Sequence, residues 1–319
     1  LADQCLPAAE VWRQIQGANS AGKGIVFLRC TIVDDFHAKG DVRFENELAF
    51  LGCKFKGLAL FRNWMLKKNI WFSNSTFDKQ FSLRGSSVTE GSVHLEACAF
   101  HGRGGASFRA INAQAIYLDF GLTINDGLVW LNEVNVTGEV RLGGEFGGGI
   151  EILGSQINPD GTHESMTAAI KAIVIGREQF PSESVNRTVI KSRFIVQDVD
   201  IGYVEAAALT AQSIEISRCA VRKIKFECIS VETDVGIDLA WPIQESKFGG
   251  HKAQSLNIAA CSIGRHLTIS ALTTNETFSL RRSVVGGLLR IASLKMTEDA
   301  RIDLRELFAA RFSLDVTEC

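Results

Sequence analysis

The stretch from Leu48 to Met65, LAFLGCKFKGLALFRNWM, narrows most what this chain can become. Taken in fives, Leu48 and Phe50, Cys53 and Phe55, Leu58 and Leu60, and Asn63 and Met65 form successive pairs. A spacing of two inside a spacing of five matches neither a helix nor an ordinary strand. It describes a chain that runs briefly extended, turns a corner and repeats. Such repetition is the signature of a β-solenoid.

The pattern extends well beyond that stretch. With the first apolar residue of a block as position zero, inward residues are expected at zero, two, five and seven. Ile25, Phe27, Cys30 and Ile32 fit, as do Ile70, Phe72, Ser75 and Phe77, and Val93, Leu95, Cys98 and Phe100. Phe81, Leu83, Ser86 and Val88 fit as well. Past the middle, Ile150, Ile152, Ser155 and Ile157 repeat it, followed by blocks beginning at Ile214, Leu256 and Phe278. Two blocks make a rung of roughly 20–24 residues, and the chain accommodates about thirteen or fourteen rungs. The expected class is all-β, a parallel β-helix or solenoid. Twenty Phe against two Tyr suit a dry interior that has no partner for a polar ring tip.

Residues 1–22 read as an N-terminal capping segment and 23–319 as the solenoid. The helix is expected over 7–17, with Pro7 in its first turn and Gly17 ending it. Its apolar face, Ala8, Val11, Trp12 and Ile15, would cover the first open rung. Two insertions interrupt the solenoid, near 158–188 and 241–255. Within the first, Ile170 to Ile175 suits strand or helix. At the other end, Ile302 and Leu304, Leu307 and Ala309, and Phe312 and Leu314 keep the five-residue spacing. Three endings follow: a homodimer through the C-terminal rung, a continuing chain, or a helical cap from Glu298. The spacing favours the first two, because it is coil spacing.

Lys and Arg number 34 against 36 Asp and Glu, for a net charge of −2. That balance gives no general attraction for nucleic acid or an anionic membrane. It also lacks the acidic excess that a DNA mimic binding a topoisomerase would need. No apolar run reaches the eighteen or so residues of a transmembrane helix, and no signal peptide is visible. The expected location is the cytoplasm, with membrane association left open.

Of the eight Cys, Cys30, Cys53, Cys98, Cys219 and Cys261 occupy position five. Ser and Asn take that place elsewhere, so these are read as small buried thiols. No Cys-x-x-Cys and no Cys/His zinc spacing occurs, so no metal site is expected. Cys30 and Cys53 lie one rung apart, within reach of a disulfide under oxidising conditions. Asp34, Asp35 and His37 cluster, as do Asp198 and Asp200. Cleavage of a polysaccharide would need such carboxylates to converge from adjacent rungs, whereas turns are the commoner home of Asp. No nucleophile elbow, zinc-protease helix or dinucleotide fingerprint is present. No catalytic residue and no cofactor is therefore assigned. Solenoid insertions commonly gather on a binding face. Trp241, His251, His163 and Arg177 are the candidate binding residues there, and Trp241 is expected to be the most exposed. Trp64, Trp71 and Trp130 fall at or beside inward positions.

VRLGGEFGGGIEILGSQINPDG (140–161) resembles the repeats of bacterial pentapeptide-repeat-like proteins. VHLEACAFHG and VWLNEVNVTGEVRLGG share the cadence, and the likeness covers about residues 40–290. The small triplets of strict pentapeptide repeats are mostly replaced here by larger residues. The resemblance implies a right-handed β-solenoid. Many relatives carry the label of membrane-associated oxidoreductase, but no nicotinamide, flavin or haem motif accompanies it here. The expected function is a non-enzymatic scaffold presenting a rigid face to a protein partner. A carbohydrate-binding or carbohydrate-active β-helix is the alternative.

Overall fold

A computed structural model describes residues 1–38, 42–101, 105–120, 127–154, 168–176, 188–240, 254–274 and 276–318. The chain is a β-solenoid of parallel coils, about eleven turns of roughly 23 residues. It divides into two units, Leu1–Ile150 and Glu151–Cys319.

In the first unit, strands Ile25–Leu28, Leu48–Leu51, Ile70–Ser73, Ser87–Glu96, Asn112–Asp119 and Asn135–Gly143 stack on one face. Ile25, Leu48, Ile70, Val93, Ile116 and Val140 are in register, so each turn takes 22–24 residues. A second face begins with Phe36–Ala38 and continues through Ala59–Arg62, Phe81–Arg84, Ala106–Arg109 and Val129–Asn132. A short third face holds Cys5–Leu6, Thr31–Ile32, Lys54–Phe55, Thr76–Phe77 and Ala99–Phe100. Parallel coils rise about 4.8 Å per turn, close to the spacing of stacked rings. In-register Phe side chains therefore form columns. Phe27, Phe50 and Phe72 stack at 5.0 and 5.2 Å, and Phe55, Phe77 and Phe100 at 4.9 and 4.9 Å.

In the blocks beginning at Ile25, Ile70, Phe81, Val93, Ile150, Ile214, Leu256 and Phe278 the inward positions are buried wherever the structure describes them, except that Ile25 is only half-buried; the later pairs Ile302 and Leu304, Leu307 and Ala309, and Phe312 and Leu314 are half-buried or exposed. Ser155 and Ile157 lie outside the described residues. The opening stretch itself needs a correction. After Phe55 the core residues are Ala59, Phe61, Trp64 and Leu66, while Asn63 and Met65 are exposed. The corner consumes Lys56, Gly57 and Leu58, one residue more than the five-residue spacing allows. Gly57 suits this tight passage, because a Cβ there would meet the Asp34 carbonyl at 2.4 Å.

Two features of the corners were not read from the sequence. Position four adopts a left-handed conformation in block after block, at Arg29, Asn63, Asn74, Ala97, Ala110, Glu133, Arg218, Ala260 and Arg282 among others. Position five then turns inward, and its small polar atom bonds back to the preceding coil. Cys53 Sγ donates to Phe27 O at 3.3 Å, Ser75 Oγ to Phe50 O at 3.0 Å and Cys98 Sγ to Phe72 O at 3.2 Å. Ser75 Oγ also accepts the Cys53 N–H at 3.1 Å. Ser and Cys recur there because each satisfies a corner carbonyl that an aliphatic side chain would leave bare.

Helix α1 (Ala8–Ser20) buries Val11 and Ile15, and Trp12 lies 5.8 Å from Trp64. It passes through Gly17 instead of ending there. Its closure is a Schellman pairing around Gly22 (φ 65°), with Gly22 N–H to Asn19 O and Lys23 N–H to Ala18 O. Residues ahead of the helix add strand pairing to the first coil, Cys5 with Thr31 and Leu6 with Ile32.

In the second unit one face holds Ala169–Ile175, Asp200–Ala207, Ala220–Glu227, Ser255–Ala259, Thr277–Arg281 and Arg301–Asp303. The strand reading of Ile170–Ile175 is therefore the one adopted. The other face includes Thr188–Gln197, Leu209–Ser217, Val235–Asp238, Leu267–Ser270, Val284–Met296 and Phe308–Glu318. Register partners Ile170 and Ile201 lie 31 residues apart in sequence, and Ile224 and Leu256 lie 32 apart. The second of these turns contains 241–255 and the first the later part of 158–188, so turns lengthened by the interruptions leave fewer of them than the block count implied. From Glu298 onward the chain forms strands Arg301–Asp303 and Phe308–Glu318, and no helical cap. Among the described residues no helix is long and apolar enough to cross a membrane.

Candidate functional site

Trp241, His251, His163 and Arg177 lie outside the described residues. The two carboxylate clusters have structural partners. Asp35 accepts the Leu58 N–H at 2.8 Å and sits 3.4 Å from Lys79 Nζ, and the first of these chiefly holds its carboxyl below the usual range. Asp198 is 3% exposed, and Arg218 reaches it with Nε to Oδ1 at 2.8 Å. Hydrogen bonding to Asp198 chiefly raises the Arg218 pKa. Asp200 is also buried. These groups fix corners.

The outer face of the first unit carries a more distinctive arrangement. Trp71, His94, Tyr117 and Arg141 are in register on successive strands. Each lies between two inward residues, as Trp71 does between Ile70 and Phe72, so each points outward. Trp71 and His94 stack with ring centroids 3.5 Å apart, His94 and Tyr117 at 4.7 Å. Arg141 Cζ sits 5.6 Å from the centre of the Tyr117 ring, a cation–π distance.

Carboxylates edge this ladder. Arg141 Nη2 lies 2.6 Å from Glu139 Oε1, and His94 Nδ1 lies 3.4 Å from Glu96 Oε1. The latter pair is not a hydrogen bond, and among the described residues His94 Nδ1 has no hydrogen-bond partner. Desolvation, then the Glu139 charge, raises the Tyr117 pKa. The adjoining outward column is Ser73, Glu96, Asp119 and Gly143. The result is a half-buried row of rings held at fixed spacing with acidic groups alongside. Trp130 is 47% exposed on the second face, in register with Ser107. The expectation of Trp64, Trp71 and Trp130 at or beside inward positions thus divides: Trp64 is buried, and the other two face out.

The second unit has a shallow cleft of about 460 Å³ centred on Gly236. Gly236 lies between Glu215 and Thr268 in register, and a Cβ there would meet nothing within 4 Å. Missing side-chain volume in the middle of the column opens the floor. Carboxylates at the cleft engage local donors. Asp238 Oδ1 accepts from Ser270 Oγ at 3.1 Å, and Glu215 Oε1 from Ser217 Oγ at 3.2 Å. Among the described residues that line it none is aromatic.

Position one of the blocks at Ile70, Val93 and Ile214 marks Trp71, His94 and Glu215 in the sequence, whereas Tyr117, Arg141, Gly236 and Thr268 join them only through strand register. Compared with protein-family models, curated proteins and solved structures, the chain matches none.

Proposed function

We propose that this chain is a non-enzymatic binding scaffold whose Trp71–His94–Tyr117–Arg141 ladder engages a protein partner. The ladder carries the reading. Trp, Tyr and Arg are the residue types that most often dominate interface energetics, and here in-register strands hold them at fixed spacing, so little ordering entropy is lost on docking. The pentapeptide-repeat-like resemblance is in keeping with this at the level of a β-solenoid of parallel coils, whose turns of 22–24 residues in the first unit exceed four pentapeptides. A cytoplasmic setting accords with position-five thiols that remain reduced. Capture from source cells with wild-type protein and with Trp71→Ala/Tyr117→Ala tests the proposal. A discrete partner should be retained by the first and lost by the second at unchanged melting temperature. Identical captures would refute it.

The Gly236 cleft supports the second reading, carbohydrate binding, because hydroxyls and carboxylates from three turns line one concave surface. It lacks the aromatic platform that sugar sites commonly present, which ranks it below the first. A glycan array probed with wild type and Gly236→Leu decides it: signals lost in the variant support the reading, and a blank array removes it.

A further inference from the structure

The second face of the first unit carries a column of cations. Arg62, Arg84 and Arg109 are in register on Ala59–Arg62, Phe81–Arg84 and Ala106–Arg109. Each follows a buried residue of its strand, Phe61, Leu83 or Phe108, so each points outward. Successive turns lie about 4.8 Å apart, which places the three residues within a span of about 10 Å. Arg62 and Arg84 are exposed, and among the described residues no carboxylate forms an ion pair with either. Arg109 is half-buried, with Nε 3.8 Å from Glu133 Oε2 at the next corner. Like charges set opposite one another on neighbouring strands cost stability. The coil does not require a cation at this place, because the register partner of Arg109 one turn on is Asn132.

Two residues earlier on the same strands runs a second outward column, Leu60, Ser82, Ser107 and Trp130. Ser82 and Ser107 are half-buried, and Trp130 is 47% exposed. None of the four strands, ALFR, FSLR, ASFR and VWLN, contains Asp or Glu. A net charge of −2 for the whole chain thus conceals a face whose only charges are positive.

Arg forks bind planar carboxylates through two parallel hydrogen bonds. A ligand that engages several of them at once carries carboxylates repeated along a line. To match the second column it also needs hydroxyls for Ser82 and Ser107 and a flat apolar surface for Trp130. A linear polyuronate has all three: one carboxylate per sugar, free hydroxyls, and C–H faces that lie on aromatic rings. Single-stranded nucleic acid has the repeated anion, but its bases stack on a succession of aromatic side chains, and these strands offer one such outward ring.

We infer that the second face of the first unit binds a linear acidic polysaccharide, with Arg62, Arg84 and Arg109 on its carboxylates and Trp130 against a sugar ring. The inference rests neither on the Trp71–Arg141 ladder nor on the Gly236 cleft, which belong to other surfaces.

Calorimetric titration of the full chain with oligogalacturonate and with oligomannuronate tests it. At least one should bind, with an affinity that falls as salt rises. The same oligomer with its carboxylates methyl-esterified should bind about tenfold more weakly or worse. Arg84→Ala and Trp130→Ala should each weaken binding about tenfold, the first at an unchanged or higher melting temperature. Arg84→Lys keeps the charge and loses the fork, so its affinity should fall between wild type and Arg84→Ala. Absence of binding by both oligomers at millimolar concentration overturns the inference. So does equal binding of the esterified oligomer, or binding that Arg62→Ala/Arg84→Ala leaves unchanged. Tighter binding of an oligothymidylate than of either uronate would assign the face to nucleic acid and overturn it as well.

Discussion

At position five the choice between Ser or Cys and a larger apolar residue turns on one backbone carbonyl. Ser75 donates to Phe50 O and accepts from Cys53 N–H, both buried. Ser75→Ala should therefore cost about 1–3 kcal/mol, the penalty for leaving buried groups unpaired. Ser75→Cys should be milder, because Cys already makes the carbonyl bond at Cys53 and Cys98. Chemical denaturation of the pair measures this. Burial pushes the Cys98 and Cys219 thiols to about 12, and those of Cys53 and Cys261 to about 11, from 9.0. Between those values the unfolded chain has lost protons that the folded chain keeps. Stability from this source is complete below pH 9 and falls as pH rises toward 11–12. Urea midpoints should be flat through neutrality and drop in that alkaline window, and a thiol reagent should label these four only after unfolding. Position four offers a gain instead. Ala97 has φ 49°, a conformation costing a non-Gly residue about 1–2 kcal/mol. Glycine surrenders about 0.5–1 kcal/mol of that advantage through its freer unfolded state. Ala97→Gly should thus raise stability by about 0.5–1 kcal/mol, readable as a higher urea midpoint.

At the scale of elements, the inward frame was legible because a buried column punishes any polar residue. Ile70, Phe72, Ser75 and Phe77 could be placed from spacing alone, and all are buried. The frame slipped at Leu58 because an eleven-residue block and a ten-residue block look alike until the corner is seen. Asn63 and Met65 were then assigned the places held by Trp64 and Leu66. The left-handed corners were hidden because Ala, Arg and Glu occupy them as well as Gly and Asn. Stacked pairing, not local preference, imposes that conformation. The ladder was missed for a different reason: outward residues carry no burial signal, and only their register reveals Trp71, His94, Tyr117 and Arg141 as neighbours. The charge pair at Arg218 belongs to this scale too, since it ties a corner of one turn to that of another. Arg218→Ala leaves the buried Asp198 with the Gln197 amide as its remaining side-chain donor and, since Arg218 is itself partly exposed, should cost about 1–3 kcal/mol. Asp198→Ala in the same background should recover part of that loss in a double-mutant cycle.

For the whole molecule, a solenoid's stability is close to a sum over turns and their nearest neighbours. Damage in one turn should therefore be felt next door and fade with distance. Within the first unit, Phe72→Ala should lower amide-exchange protection most around Phe50 and Val93, its register neighbours' turns, and least around Val140. Uniform loss across the unit would contradict this. A framework built this way holds outward side chains at fixed intervals, and the central claim is that one such row, Trp71 to Arg141, meets a partner. Photo-cross-linking in source cells tests it most directly. A benzophenone amino acid replaces Ser73, which adjoins the ladder, and in a second variant Arg222, which is exposed on the other unit. The account predicts one discrete adduct from position 73 that vanishes with Trp71→Ala/Tyr117→Ala and is absent from position 222. The same adducts from both positions, or none from position 73, would contradict it.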